Sequence, residues 1–193
     1  MTAVSQASPI SGSIGLGTGT VYALDQSNNF VTSLSLMDQF QFGIIPFLGT
    51  NSFLSSSTGD FAIVPLYTGI DQSTLNVQAL TTYTWTSAFM GSFQAGVIHV
   101  GANTFTPYAT MSTNVAGQTV LNVYEYGVFT PGGFLAPYTP TNMIETLSFT
   151  QTGTGTAMSC SATALAVVPE PCPLVVVGGA VLGLFLRRRR ANR

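Results

Sequence analysis

The 193-residue chain carries five Lys and Arg, seven Asp and Glu and one His, so charged residues make up 6% of it, where soluble domains run near a quarter. Every cation is an arginine, at Arg187, Arg188, Arg189, Arg190 and Arg193, which leaves residues 1–186 nothing with which to neutralise phosphates. Nucleic-acid binding is thereby excluded, and phosphorylated cofactors lack the clamp they need. A content of 46% hydrophobic and 11% aromatic residues argues against disorder, and the length suits one domain with a real core.

The chain opens MTAVSQASPISGSIG, with no basic residue and no apolar run. A signal peptide needs both. Ser5-Gln6-Ala7 nevertheless has the small-x-Ala form of a cleavage site. The expectation is a start upstream of Met1, with residues 1–9 a leader remnant or a disordered segment. The alternative is a cytoplasmic or tail-anchored protein.

Residues 10–166 read as a β-rich ectodomain. Alternating or β-branched runs occur at Thr20–Leu24, Val31–Met37, Phe40–Ile45, Phe61–Val64, Thr74–Leu80, Thr82–Thr86, Phe93–Val100, Asn103–Ala109, Thr119–Tyr126, Ile144–Gln151 and Thr156–Leu165. Between them lie turn-forming clusters at Gly12–Gly19, Ser27–Asn29, Ser55–Gly59, Gly101–Asn103, Pro131–Gly133 and Pro137–Pro140. Many short strands at such spacing predict an all-β fold, a β-sandwich or jelly-roll-like domain. No strict internal repeat is present.

Candidate chemistry is sparse. His99, the only histidine, lies in an apolar strand pattern and is expected to be a structural or edge-strand residue. One His and two distant cysteines make no metal cluster, and Asp25-Gln-Ser-Asn-Asn lacks the spacing of a calcium loop. No cofactor or metal is expected. Glu125, flanked by Tyr124 and Tyr126, and Glu145 are the types a glycosidase pairs, but two acids without geometry are expected on solvated faces. Trp85, Tyr83, Tyr108, Tyr124, Tyr126 and Tyr138 could stack on sugars, although aromatics in such a fold more often fill the core. Cys160 and Cys172 could form a disulfide in an exported protein, with free thiols or intermolecular pairing the alternatives.

The end of the chain is the most informative part. Residues 167–173 form a Pro-rich linker in which Pro169-Glu170-Pro171 is held extended, because each proline fixes its own φ and constrains the residue before it. From Leu174 to Leu186 the sequence LVVVGGAVLGLFL has no polar side chain. It is shorter than the roughly 20 residues of a comfortable span, but the flanking prolines and snorkelling arginines extend it. Residues 187–193 form a basic tail, which the positive-inside rule places in the cytoplasm and which puts residues 10–166 outside.

Val-Pro-Glu-Pro, an apolar helix and an Arg cluster at the C-terminus resemble the PEP-CTERM sorting signal. The resemblance covers Val168 to Arg193. It implies processing by an exosortase, with Pro169, Glu170 and Pro171 as the recognition residues, Leu174 to Leu186 as a temporary transmembrane anchor, and Arg187, Arg188, Arg189 and Arg190 as the stop-transfer cluster. More loosely, Ile10–Gly17, GDFA at Gly59–Ala62 and the late LSFTQTG leading into SCSATALAVVPEP resemble the β-sandwich-like ectodomains of such proteins.

The resemblance implies a non-enzymatic structural protein of the bacterial envelope. It would be anchored in the inner membrane before processing, then released to the cell surface or extracellular matrix, with exopolysaccharide or biofilm as its setting and polysaccharide as a further partner. A carbohydrate-binding module is the alternative, which an exposed row of aromatics would favour. A secreted hydrolase is the third reading, and it would need His99 or a carboxylate pair in a polar cleft.

Overall fold

Apolar side chains recur with a period of two in LNVYEYGVF and MIETLSF, interrupted in each by a glutamate, the period of a strand that buries one face. These segments form the two longest strands of the protein. The computed structural model describes residues 8–113, 117–153 and 158–167. Its strands are β1 (Ser13–Thr18), β2 (Val21–Leu24), β3 (Gln39–Phe42), β4 (Ser52–Ser57), β5 (Gly69–Gln72), β6 (Leu75–Asn76), β7 (Thr84–Ser87), β8 (Gly91–Ala95), β9 (Ile98–Val100), β10 (Asn103–Phe105), β11 (Tyr108–Thr113), β12 (Gln118–Pro131), β13 (Thr141–Thr152) and β14 (Ser159–Val167). Short 3-10 turns occupy Leu34–Leu36, Gly59–Ile63, Leu80–Thr82 and Gly133–Leu135.

The all-β expectation is met, but the architecture is a closed barrel rather than a sandwich or jelly roll. Eight antiparallel strands run in the order β12–β13–β14–β1–β4–β5–β7–β8, and β8 pairs back onto β12. The length of β12 explains the closure. One of its edges is paired along its length by β13, from Gln118↔Thr152 to Phe129↔Thr141. The other edge is shared. β11 covers it from Thr119 to Tyr124, and β8 takes over from Gly127 to Pro131. A strand that changes neighbour half-way lets the sheet curl shut and leaves β11 outside as a flap.

The interior is filled in layers. Trp85 packs between Phe93 and Phe129, with ring centroids at 5.9 Å and 5.6 Å, and Phe129 meets Phe61 at 5.6 Å. A small sheet, β2–β3–β6, covers one end of the barrel. Its Phe40 lies flat on Phe149 of β13, with centroids 3.7 Å apart. Gln151 pins the neighbouring 3-10 turn to the same end: its Oε1 accepts from the Leu34 amide at 2.9 Å and its Nε2 donates to the Thr32 carbonyl at 2.6 Å. Both polar ends of this buried side chain are thereby satisfied, as burial demands.

Several expected strands have another form. Val31–Met37 contains the turn Leu34–Leu36, whose start is capped by the Ser33 side chain accepting from Ser35. Phe61–Val64 belongs to the turn Gly59–Ile63. Conversely β1 and part of β4 grow from Gly- and Ser-rich sequence that resembles turns. In β1, Ile14 and Leu16 enter the core while a Cβ at Gly17 would collide with the Phe53 ring, so the glycine is a packing requirement rather than a turn residue. The sorting residues Pro169, Glu170 and Pro171, the run Leu174 to Leu186 and the cluster Arg187 to Arg190 lie outside the described residues, as do residues 1–7. Among the described residues no helix is long and apolar enough to cross a membrane.

Truncating Phe149 to Ala removes a buried ring from the contact between barrel and end sheet. The expected cost is about 3–5 kcal/mol of unfolding free energy, read as a lower urea midpoint by far-UV circular dichroism.

Candidate functional site

Period-2 alternation places Leu121, Val123, Glu125, Gly127 and Phe129 on the inner face of β12. On β13 it places Met143, Glu145, Leu147 and Phe149 there. Register then sets Glu125 directly opposite Glu145. Opposed residues of an antiparallel pair hold their Cβ atoms about 4.5–5.5 Å apart. Both glutamates are 0% exposed, so the expectation of solvated faces is overturned. The strand parity that buries their neighbours buries them too.

The two carboxyls are unequal. Glu145 Oε2 accepts from the Trp85 indole N–H at 3.0 Å, and its Oε1 accepts from the Tyr83 hydroxyl at 3.4 Å. Neither oxygen of Glu125 has a hydrogen-bond partner among the described residues. No Lys or Arg occurs among the described residues, so none of them neutralises either acid. Burial pushes Glu145 up to about 8 despite its two donors. Burial, then the charge of Glu145, pushes Glu125 up to about 8. Desolvation and Glu145 likewise raise the Cys160 thiol to about 12 and hold the Tyr83 phenol well above its ordinary value. With both raised to about 8, the two carboxyls hold their protons at neutral pH, and two charges so close in such surroundings would repel. In this closed form neither acid has surface that a polymer substrate could reach.

The outer face of the same strands is different in kind. Tyr108 of β11 is opposite Tyr124 of β12, and their rings stack at 4.7 Å and 18°. Tyr108 also lies 6.3 Å from Tyr126, which meets Phe105 of β10 at 5.3 Å. These four rings form a row, with Tyr108 45% exposed. Register continues the row sideways from Tyr124 to Thr146 of β13 and Thr163 of β14. A parallel line runs from Thr110 through Asn122 and Ser148 to Ser161, and Ser148 donates to Asn122. No outward position on β11 to β14 among the described residues is charged.

The remaining sequence candidates are dispersed. Trp85 and Tyr83 are buried, as core aromatics should be, whereas Tyr108, Tyr124 and Tyr126 face outward. Tyr138 donates to Asp60 at 3.1 Å, and Asp60 also accepts from the Ser11 amide at 2.7 Å and the Ser11 hydroxyl at 2.9 Å. Those bonds, the Ser11 amide first, hold the Asp60 carboxyl below its usual range. His99 is exposed on β9, an edge hairpin strand, with its Nδ1 3.0 Å from the Thr104 hydroxyl. Asp25 spends its carboxylate on its own loop, accepting from the amides of Ser27 at 2.8 Å and Asn29 at 2.9 Å. Among the described residues no group of three His, Cys, Asp or Glu could hold a metal. Cys160 is a free thiol, half-buried, and Cys172 lies outside the described residues. No protein-family model, no curated protein and no solved structure matches the chain.

Replacing Trp85 with Phe deletes one donor to Glu145 while keeping a ring in the core. A loss of about 1–3 kcal/mol is expected, the cost of stripping a partner from a buried polar group. Urea titration followed by far-UV circular dichroism measures it.

Proposed function

We propose that this is a non-enzymatic, exported surface protein whose barrel binds neutral polysaccharide along the Tyr124–Tyr108–Tyr126–Phe105 row. The row is the observation that carries the reading. Aromatic rings offer apolar faces and edges to the C–H groups of a sugar, and hydroxyl and amide side chains beside them match its hydroxyls. The flanking Thr146, Ser148, Asn122 and Thr163 supply such groups on one continuous sheet face. The absence of Lys and Arg from the barrel disfavours anionic polymers, which would be repelled by the acidic body. The burial of Glu125 and Glu145 and the pairing of His99 with Thr104 favour binding over hydrolysis.

Delivery is the second half of the proposal. Its support is the C-terminal sequence, in which Pro169, Glu170 and Pro171 precede the apolar run Leu174 to Leu186 and the cluster Arg187, Arg188, Arg189 and Arg190. An exosortase would act as the processing partner, with the apolar run as a transient inner-membrane anchor. The barrel would then work at the cell surface or in the extracellular matrix, where neutral exopolysaccharide is its ligand.

Affinity electrophoresis in a neutral soluble glucan and in a polyuronate tests the binding. Retardation by the glucan, insensitive to salt, is expected. Tyr108→Ala and Tyr124→Ala should each weaken it about tenfold, or about 1.4 kcal/mol, while Phe47→Ala on the exposed loop between β3 and β4 leaves it unchanged. No retardation by either polymer would remove the glycan-binding reading. Intact mass of the mature protein from its native cells tests the sorting. Loss of everything beyond about Pro171 is expected, and a mass retaining Arg187 to Arg193 would end the exosortase reading.

A further inference from the structure

Glu125 occupies a special place in the barrel wall. Tyr124 is the last residue of β12 paired to β11, and Gly127 is the first paired to β8. Glu125 and Tyr126 therefore lie at the fork where one neighbour hands over to the other. The β8–β12 pairing that begins there is the closing seam of the barrel. At Gly127 the seam is so tight that a Cβ would strike the Gln94 carbonyl and the Phe93 ring. Immediately inside it sits an acid whose two oxygens have no partner, facing a second acid across the β12–β13 register.

We propose that the Glu125–Glu145 pair is a pH-sensitive latch on barrel closure. While the two carboxyls hold their protons, the β8–β12 seam stays shut. When both are ionised, Glu125 leaves the interior through the fork and the seam opens.

The surroundings offer the second charge no counterweight. The titratable groups that face the pair are the Tyr83 phenol, at the start of β7, and the Cys160 thiol on β14. Both are neutral until well above the range in which the pair titrates. Beside Tyr83, β7 contributes the Trp85 indole, a donor to Glu145 only. The inward residues of β8 are Phe93 and Ala95, those of β1 are Ile14 and Leu16, and Ala164 of β14 lies beside Glu145 in register. None can carry charge. A second carboxylate in this space has solvent as its only refuge, and the fork is the nearest break in the wall of paired strands.

The pH effect has a definite sign. Both acids titrate higher when folded, about 8, than their ordinary 4.5. Their contribution to stability is therefore complete below about 4.5, declines as pH rises, and is lost above about 8. This opposes the usual acid denaturation and is distinct from Asp25 and Asp60, whose lowered values act below the ordinary 3.8. Tyr124 and Tyr126 flank Glu125 on the outer face, so opening also disrupts the ring row; that consequence rests on the glycan reading, whereas the latch itself does not.

Hydrogen exchange with peptic mapping, corrected for intrinsic rates, tests the latch from about pH 6 to about pH 10. In the wild type, protection of the β8 amides and of β12 beyond Gly127 should fall about tenfold per pH unit from about pH 6 to about pH 8 and level off above that, while β13 and β14 stay protected. Glu125→Gln should abolish that pH dependence and Glu145→Gln should end it at lower pH, because only the smaller part of the upward push on Glu125 comes from Glu145, and either variant suffices if the other fails to fold. Parallel loss of protection in all four strands would overturn the latch in favour of global unfolding. An unchanged pH dependence in a folded variant would overturn it in favour of another titrating group.

Discussion

Everything else in the barrel hangs on the pairing of β8 with the second half of β12. Without it, β8 and β12 would be the exposed edges of an open sheet, and unpaired strand edges invite association with other chains. With it, eight strands share a sealed interior. Closure demands that the backbones approach closely, which is why a residue without a side chain stands at Gly127. Closure also brings Phe93 of β8 and Phe129 of β12 to the same core, with Trp85 between them. The aromatic string gives the seam its hydrophobic reward, and seam and core are therefore one cooperative unit.

A sealed apolar interior makes the acids inside it unusual. Cations neutralise buried carboxylates elsewhere in proteins, and none of the described residues offers one to Glu125. Holding a proton is the remaining way to avoid a large desolvation cost. The Trp85 and Tyr83 donors make Glu145 the better place for a negative charge once one forms, leaving Glu125 as the acid that holds its proton more firmly. The asymmetry comes from β7 and the residue before it reaching one glutamate and not the other.

The two faces of β12 divide the work. Its inner parity builds the core and its outer parity builds the aromatic row, and the same two-residue period produces both. β11 is essential only to the outer face. It lies outside the barrel circuit and brings Tyr108 between Tyr124 and Tyr126. The hairpin of β9 and β10 adds Phe105, and is itself tied down where Asn142 donates to the His99 carbonyl.

The all-β class is already set by the order of residues, because period-2 runs and turn residues leave little room for helices. So are the charge-poor character of the body and the segregation of every arginine beyond Leu186. The burial of the acids was legible in principle: Glu125 shares the parity of Leu121, Val123 and Phe129, and Glu145 that of Met143, Leu147 and Phe149. What parity cannot supply is which strands become neighbours. That Glu125 faces Glu145, that Tyr108 stacks on Tyr124, and that β12 changes partner at its middle are all matters of register between separate segments of the chain. Closure into a barrel was hidden for the same reason, since β1 and β4 are Gly- and Ser-rich and become strands only when flanking strands supply their hydrogen bonds. Strand formation there is a tertiary event, and a linear order of residues does not say which edges will meet.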